Sequence, residues 1–259
     1  MAKIGLNSFR YGILTEAADG TPSYGGAKTP AKAVSCNVSI TSNSAELYAD
    51  DVLAESDYSF QNGTITMGID DEDLATQAEL LGHTYSAGAG VVRNANDTAP
   101  YVGIGRVIVK MIGGVRKYKV EFLYKCKFSE PNQDDTTKGE ALAFGTSEIS
   151  GSVHALANGN WSTSKVFNTQ AEAVQYLEAL LATSAVTLTY NVNGGTGSVP
   201  SVLVASGTAV ALDNGAGITP PANKTFAGWA TTNSAETADV TSPYTVSADT
   251  TLYAVYAAG

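Results

Sequence analysis

The stretch YVGIGRVIVKMIGGVRKYKVEFLYKCKF, Tyr101 to Phe128, constrains the fold more than any other part of this chain. Two long apolar or alternating runs flank Gly113-Gly114, a pair suited to a tight hairpin turn because both glycines can take positive φ. In the second arm Tyr118, Val120, Phe122, Tyr124, Cys126 and Phe128 fall on one face, with Lys117, Lys119, Glu121, Lys125 and Lys127 on the other. At ~3.4 Å per residue each arm reaches ~40 Å, long for a strand of an ordinary domain. A chain built around such a hairpin is expected to be mainly β.

Other segments repeat the pattern. AVSCNVSI predicts a strand with Val34, Cys36, Val38 and Ile40 on one face, which places Cys36 in the core, and NGTITMGID predicts a second through Ile65, Met67 and Ile69. GEALAFGTSEISGSVHAL continues the β content, and its loss of register between Gly145 and Glu148 predicts a bulge. DDEDLATQAELLGH reads as a short helix: Asp70 or Asp71 caps it, acids occupy the first turn, Leu74, Ala78 and Leu81 form its stripe, and Gly82 ends it. NTQAEAVQYLEALLATS predicts a second helix, opened by Thr169 and Glu172 at capping-box spacing, with Val174, Leu177 and Leu181 on one stripe. Composition changes at Ser184, after which Lys224 is the only basic residue among four acids. This divides the chain into residues 1–183 and a small β-rich module, residues 184–259.

Net charge is −10, so the surface as a whole repels phosphate backbones, and binding nucleic acid by neutralisation is disfavoured. The apolar run GIL near the N-terminus is too short for a secretory segment, which predicts synthesis in the cytosol with Cys36 and Cys126 reduced. His83 and His154 have no Cys or His at zinc-ligand spacing, and His83, just past a helix end, has a structural role. Asp70 to Asp73 lack the spacing, glycine and closing glutamate of a calcium loop. Neither a phosphate-binding loop nor a nucleophile elbow is present. The expectation is no enzyme activity, no catalytic residue, no metal and no cofactor, although the two acids of a glycan hydrolase need not be neighbours in sequence.

Charge pattern carries more. Five carboxylates lie between Glu46 and Asp57 with no Lys or Arg among them, whereas seven basic residues and one acid lie between Arg106 and Lys127. Unlike surfaces of opposite sign favour head-to-tail association of copies into rings or filaments. The expected subunit interface therefore comprises Glu46, Leu47, Tyr48, Asp50, Asp51, Leu53, Glu55 and Asp57 against Arg106, Lys110, Arg116, Lys117, Lys119, Lys125 and Lys127. The acidic stretch reads as an extended inter-strand loop, a docking arm anchored by Tyr48, Leu53, Tyr58 and Phe60.

The ordered series NSAELYADDVLAES, ELLGHTY, APYVGIG, LYKCKFSEPNQDDTTKGEALAF and GNW resembles the major tail tube proteins of long non-contractile-tailed bacteriophages of mainly Gram-positive hosts. Separately, LTYNVNGGTGSVPSVLVASGTAVAL, FAGWATT and YTVSADTTLYAVY resemble a Listeria–Bacteroides type repeat, a β-grasp or immunoglobulin-like module. The first resemblance implies a β-sandwich or barrel with a flanking helix, assembling as hexameric rings stacked into the tube of a virion tail. It also implies partners: other copies, tape measure and terminator proteins, and double-stranded DNA passing through the lumen without specific binding. The second implies a module displayed outside the tube, with a cell-surface ligand. The alternative expectation is a bacterial surface or adhesion protein, which the module alone would favour.

Overall fold

The computed structural model describes residues 2–30, 32–49, 52–70, 73–132 and 147–259. They form two compact units, 1–177 and 178–259. The division falls inside the second helix, ahead of the compositional change at Ser184.

The first unit contains β1 (Ala2–Glu16), β2 (Pro22–Tyr24), β3 (Ala33–Ala49), β4 (Val52–Ile69), α1 (Leu74–Leu81), β5 (Thr84–Ser86), β6 (Gly90–Val92), β7 (Val102–Ile112), β8 (Val115–Phe128), β9 (Ser147–His154), β10 (Ser162–Phe167) and most of α2 (Gln170–Leu180). Its main sheet runs β2-β1-β7-β8-β9-β4-β3, with β10 paired to β8 beside β9. The sheet curls over on itself. One core joins Phe9 and Tyr11 of β1, Val102 and Ile104 of β7, and Leu123, Cys126 and Phe128 of β8 to Ile65, Met67, Ile149 and Val153 from β4 and β9. Leu80 and Leu81 of α1 enter the same core.

The β7–β8 hairpin turns at Gly113 and Gly114, with φ of 57° and 77°. A register shift between Val102 and Ile104 moves Leu123 onto the core face with Cys126 and Phe128, so the alternation read from sequence holds only on the turn side of Phe122. The opposite face of β7 carries glycine at 103 and 105. A β-carbon on Gly105 would collide with Leu177 Cδ1 and come within 2.9 Å of Phe122 Cδ2, so the bare backbone there admits α2 against the sheet. Both bonds of the capping box form: Thr169 N donates to Glu172 Oε2 at 3.1 Å, and Glu172 N to Thr169 Oγ1 at 3.3 Å.

Several expectations need correction. α1 is capped by Asp73, whose carboxylate accepts from Thr76 N, so the acids precede the helix and none lies in its first turn. Asp70 instead accepts from Lys32 N at 3.0 Å, while Asp71 lies outside the described residues. Leu74 is largely exposed, and α1 buries Gln77, Ala78, Leu80 and Leu81, because the helix starts later and turns a different face inward. Cys36 is half-buried rather than in the core, since it lies under the Arg106 guanidinium. Val34 and Ile40 are exposed, on a strand that lies at the edge of the sheet among the described residues. Residues 145 and 146 of the segment expected to hold a bulge, 145–148, lie outside the described residues, and from Ser147 onward β9 pairs with β4 without a register break.

The second unit contains β11 (Ala185–Asn191), β12 (Thr196–Gly197), β13 (Val202–Ala205), β14 (Thr208–Val210), β15 (Ile218–Thr219), β16 (Lys224–Ala230), β17 (Tyr244–Val246) and β18 (Thr250–Ala258). Its four-stranded sheet runs β13-β11-β18-β16, with β11 and β18 parallel at the centre. Leu188, Val204, Trp229, Val246, Leu252 and Ala254 make a separate core, within which Trp229 Nε1 donates to the Asp213 carbonyl at 2.7 Å. The chain is mainly β, with two helices among the described residues.

Candidate functional site

The acidic stretch is not a loop. β3 and β4 pair from Ala33–Ile69 out to Ala49–Val52, so residues 42–49 and 52–60 form a two-stranded ribbon. Among the described residues β4 meets β9 only between Gly63 and Ile69, and β3 pairs with β4 alone. From Ser42 to Ala49 the ribbon therefore runs about 27 Å without a third strand among the described residues. The side chains at 42–46 and 55–59 are exposed on both faces, which removes the hydrophobic alternation by which a strand is read there.

Pairing distributes the acids over both faces. Glu46 lies on the face of Ser42, Ser44 and Tyr58, and Tyr58 Oη donates to Glu46 Oε1 at 3.3 Å. Glu55, opposite Leu47, and Asp57, opposite Ala45, lie on the other face. Both are exposed and neither forms an ion pair among the described residues. Asp50 and Asp51 lie outside the described residues, and for Leu47, Tyr48 and Leu53 only the backbone pairing is described. Phe60 is not free to anchor a neighbour, because it stacks on Trp161 with ring centroids 4.9 Å apart and planes 7° apart. Tyr58 remains available, at 65% exposed.

The basic hairpin is likewise not one patch. Arg106 Nη2 donates to Glu121 Oε2 at 2.6 Å, its Nη1 donates to Cys36 Sγ at 2.8 Å, and Lys119 pairs with the other Glu121 oxygen. Burial opposes the charge on Glu121, but Lys119 and Arg106 together hold its carboxyl below the usual range. Lys125 donates to Glu16 Oε2 at 2.6 Å, and Glu16 also accepts from Ala157 N, so its carboxyl is lowered as well. Lys125 and Lys127 both lie over the Tyr101 ring, 4.7 and 5.3 Å from its centroid. Arg106, Lys119 and Lys125 thus each have a carboxylate partner within the chain.

What remains is a row. Lys110 sits directly opposite Lys117 on β8 and directly opposite Lys3 on β1, so three lysines cross three adjacent strands on one face. Lys117 Nζ contacts Asn168 Oδ1, and none of the three meets a carboxylate among the described residues. Arg116, one residue nearer the turn, is exposed and likewise unpaired among them. Directly opposed like charges destabilise a sheet, so this row costs stability unless an anion meets it. Lys3 is the member that sequence reasoning missed, because it joins the row only through the β1–β7 register.

A small pocket between α1 and the sheet is lined mainly by aliphatic and proline side chains, among them Pro30, Met67, Ile69, Leu80 and Ile149, with Asp73 and Glu148. Among the described residues no group of three or more His, Cys, Asp or Glu is arranged to hold a metal ion.

The second unit, with its parallel central pair and its own aromatic core, can be compared with known domains. Residues 187–255 match the Listeria-Bacteroides repeat domain. The repeat domain thus spans β11 to most of β18 and coincides with the second core. No curated protein matches the chain.

Proposed function

We propose that this chain is a self-assembling structural subunit of a virion tail tube. Copies associate into hexameric rings, rings stack into a tube that conducts DNA, and the repeat domain is displayed on the outside. The observation that carries this reading is the β3–β4 ribbon, which leaves both strand edges and the Glu55–Asp57 face without a partner within the described residues. An isolated two-stranded ribbon is marginal in water, so one this long is favoured by a surface that receives it. The lysine row offers opposite charge of the extent that such a ribbon needs. The order of tail-tube-like motifs along residues 3–161 supports the same reading. Tape measure and terminator proteins would then meet the ends of the tube. An acidic chain suits a conduit that must not hold phosphates, and the subunit would be made in the host cytoplasm before joining the tail.

Negative-stain microscopy of the purified chain over a concentration series tests this. Rings or tubes of uniform diameter are expected; a strictly monomeric chain under all conditions would overturn it. The second reading, a bacterial surface or adhesion protein, is favoured by the repeat-domain match. It predicts that residues 178–259 bind bacterial cells while the whole chain stays monomeric.

A further inference from the structure

α1 ends at Gly82, whose φ of 78° turns the chain so that His83 N donates to the Ala78 carbonyl at 2.8 Å. This fixes the His83 ring against three separate segments, with 6% of the side chain exposed. Nδ1 lies 2.7 Å from Asp97 Oδ2, and Nε2 contacts Glu130 Oε1. The same Asp97 oxygen accepts from Asn94 N at 2.8 Å, which closes the 94–97 loop, and Asp97 N donates back to the Asn94 carbonyl at 2.9 Å. Arg93 reaches Glu130 Oε2 at 3.8 Å through Nε and Gln77 Oε1 at 3.2 Å through Nη2, so the loop is tied to α1 and to Glu130 at once.

A neutral imidazole has one N–H and therefore one donor, whereas here a carboxylate oxygen faces each ring nitrogen. Only the imidazolium satisfies both. The carbonyl end of α1 adds negative potential of the same sign. Asp97, Glu130 and Arg93 are the charged groups with contacts in this cluster, and the two that touch the ring are anionic.

We propose that His83 is a proton-operated clasp, which in its charged form holds α1, the 93–97 loop and the chain leaving β8 at Glu130 together, and which releases that chain when the proton is lost. Deprotonation leaves a ring lone pair facing a carboxylate. Glu130 is the exposed partner and carries no backbone cap, so it is the arm that lets go, while Asp97 keeps its bond from Asn94 N. The hydrogen bond that His83 donates to Asp97, with the one it donates to Glu130, raises the His83 pKa against the opposing effect of burial, and His83 in turn lowers that of Asp97. His83 therefore contributes stability that is complete below the ordinary histidine value and is lost as pH rises through its raised one. The Asp97 share is lost at the other end, as pH falls through its lowered value.

Exchange of the imidazole C2 proton, read by mass spectrometry against pH on the full chain, gives the titration midpoint of each histidine. His154 is the internal reference, because burial followed by Lys125 and Lys127 lowers it. His83 is expected to titrate above His154. Backbone amide exchange at Ser129 and Glu130, corrected for intrinsic base catalysis, is expected to accelerate by up to about tenfold per pH unit between the ordinary histidine value and the His83 midpoint, and to level off above it. In Glu130→Gln that midpoint drops and the step in exchange disappears, while protection of the β8 amides is unchanged. A His83 midpoint at or below that of His154, amide protection flat through the midpoint, or a Glu130→Gln chain that titrates like the parent would each overturn the clasp. None of these readouts depends on whether the chain assembles.

Discussion

Replacing Lys110 by Glu should make the isolated first unit more stable while making the chain assemble less well. Lys110 stands between Lys3 and Lys117, directly opposite each, so two like-charge contacts become two opposite-charge contacts. Cross-strand pairs of this kind are worth about 0.2–1 kcal/mol each, and the partly exposed setting favours the low end. Four such changes, two repulsions removed and two attractions gained, come to about 1 kcal/mol. With a urea m-value of about 2 kcal/mol/M the midpoint should rise by about 0.5 M. The two β propensities are alike, so the backbone adds little to the difference. Both cysteines lie in the first unit, and Cys126 is fully buried. Pulsed thiol labelling against urea therefore reports that unit without a contribution from the repeat domain. The gain should shrink as salt approaches 1 M, where the screening length is about 3 Å. Sedimentation of the same variant should show weaker association. A midpoint that stays put or falls at low salt, or tubes that form as well as those of the parent chain, would refute the reasoning.

Reversing Glu55 and Asp57 to Lys, or Asp50 and Asp51 to Lys, should weaken assembly seen by microscopy while leaving the circular dichroism of the chain unchanged. Removal of residues 184–259 should leave a soluble first unit that still forms rings; a soluble product without rings would put the repeat domain in the interface. Gly105→Ala should cost about 1–3 kcal/mol in denaturant unfolding, because its methyl meets Leu177 and Phe122 in a packed layer. Acid should destabilise the first unit as pH falls through the lowered pKa values of Glu16 and Glu121, and Glu16→Gln should flatten that slope in a pH series of thermal melts.

Which parts of this molecule could be read in advance follows from what each residue faces. The β7–β8 hairpin was legible because one side of each strand meets the core, and a two-residue turn fixes the register. Counting outward from Gly113 and Gly114 places Lys110 opposite Lys117 and Arg106 opposite Glu121, as observed, so part of the site could have been derived. Lys3 could not, since nothing local says that β1 lies beside β7. The β3–β4 ribbon was misread because strands exposed on both faces, as at 42–46 and 55–59, leave no period-two trace. The Asp73 cap was hidden in a run of four acids that offers three aspartates of equal capping ability, whereas Thr169 and Glu172 announced themselves by reciprocal spacing. The contact of Arg106 with Cys36 spans 70 positions and depends on the curl of the sheet.

In the repeat domain, β18 is hydrogen-bonded on both sides, to β11 and to β16, and buries Leu252, Ala254 and Val255. The strand of this sheet made after the other three is therefore a central one, and β11 waits for its parallel neighbour until the ribosome has added everything between. At about 5–20 residues per second this delay is a matter of seconds, during which the first unit is already complete outside the exit tunnel. Translation order thus gives the association surfaces a head start over the domain that the proposed tube would carry outside, and a nascent chain halted before Thr250 would expose an unfinished sheet centre that quality-control proteases can recognise.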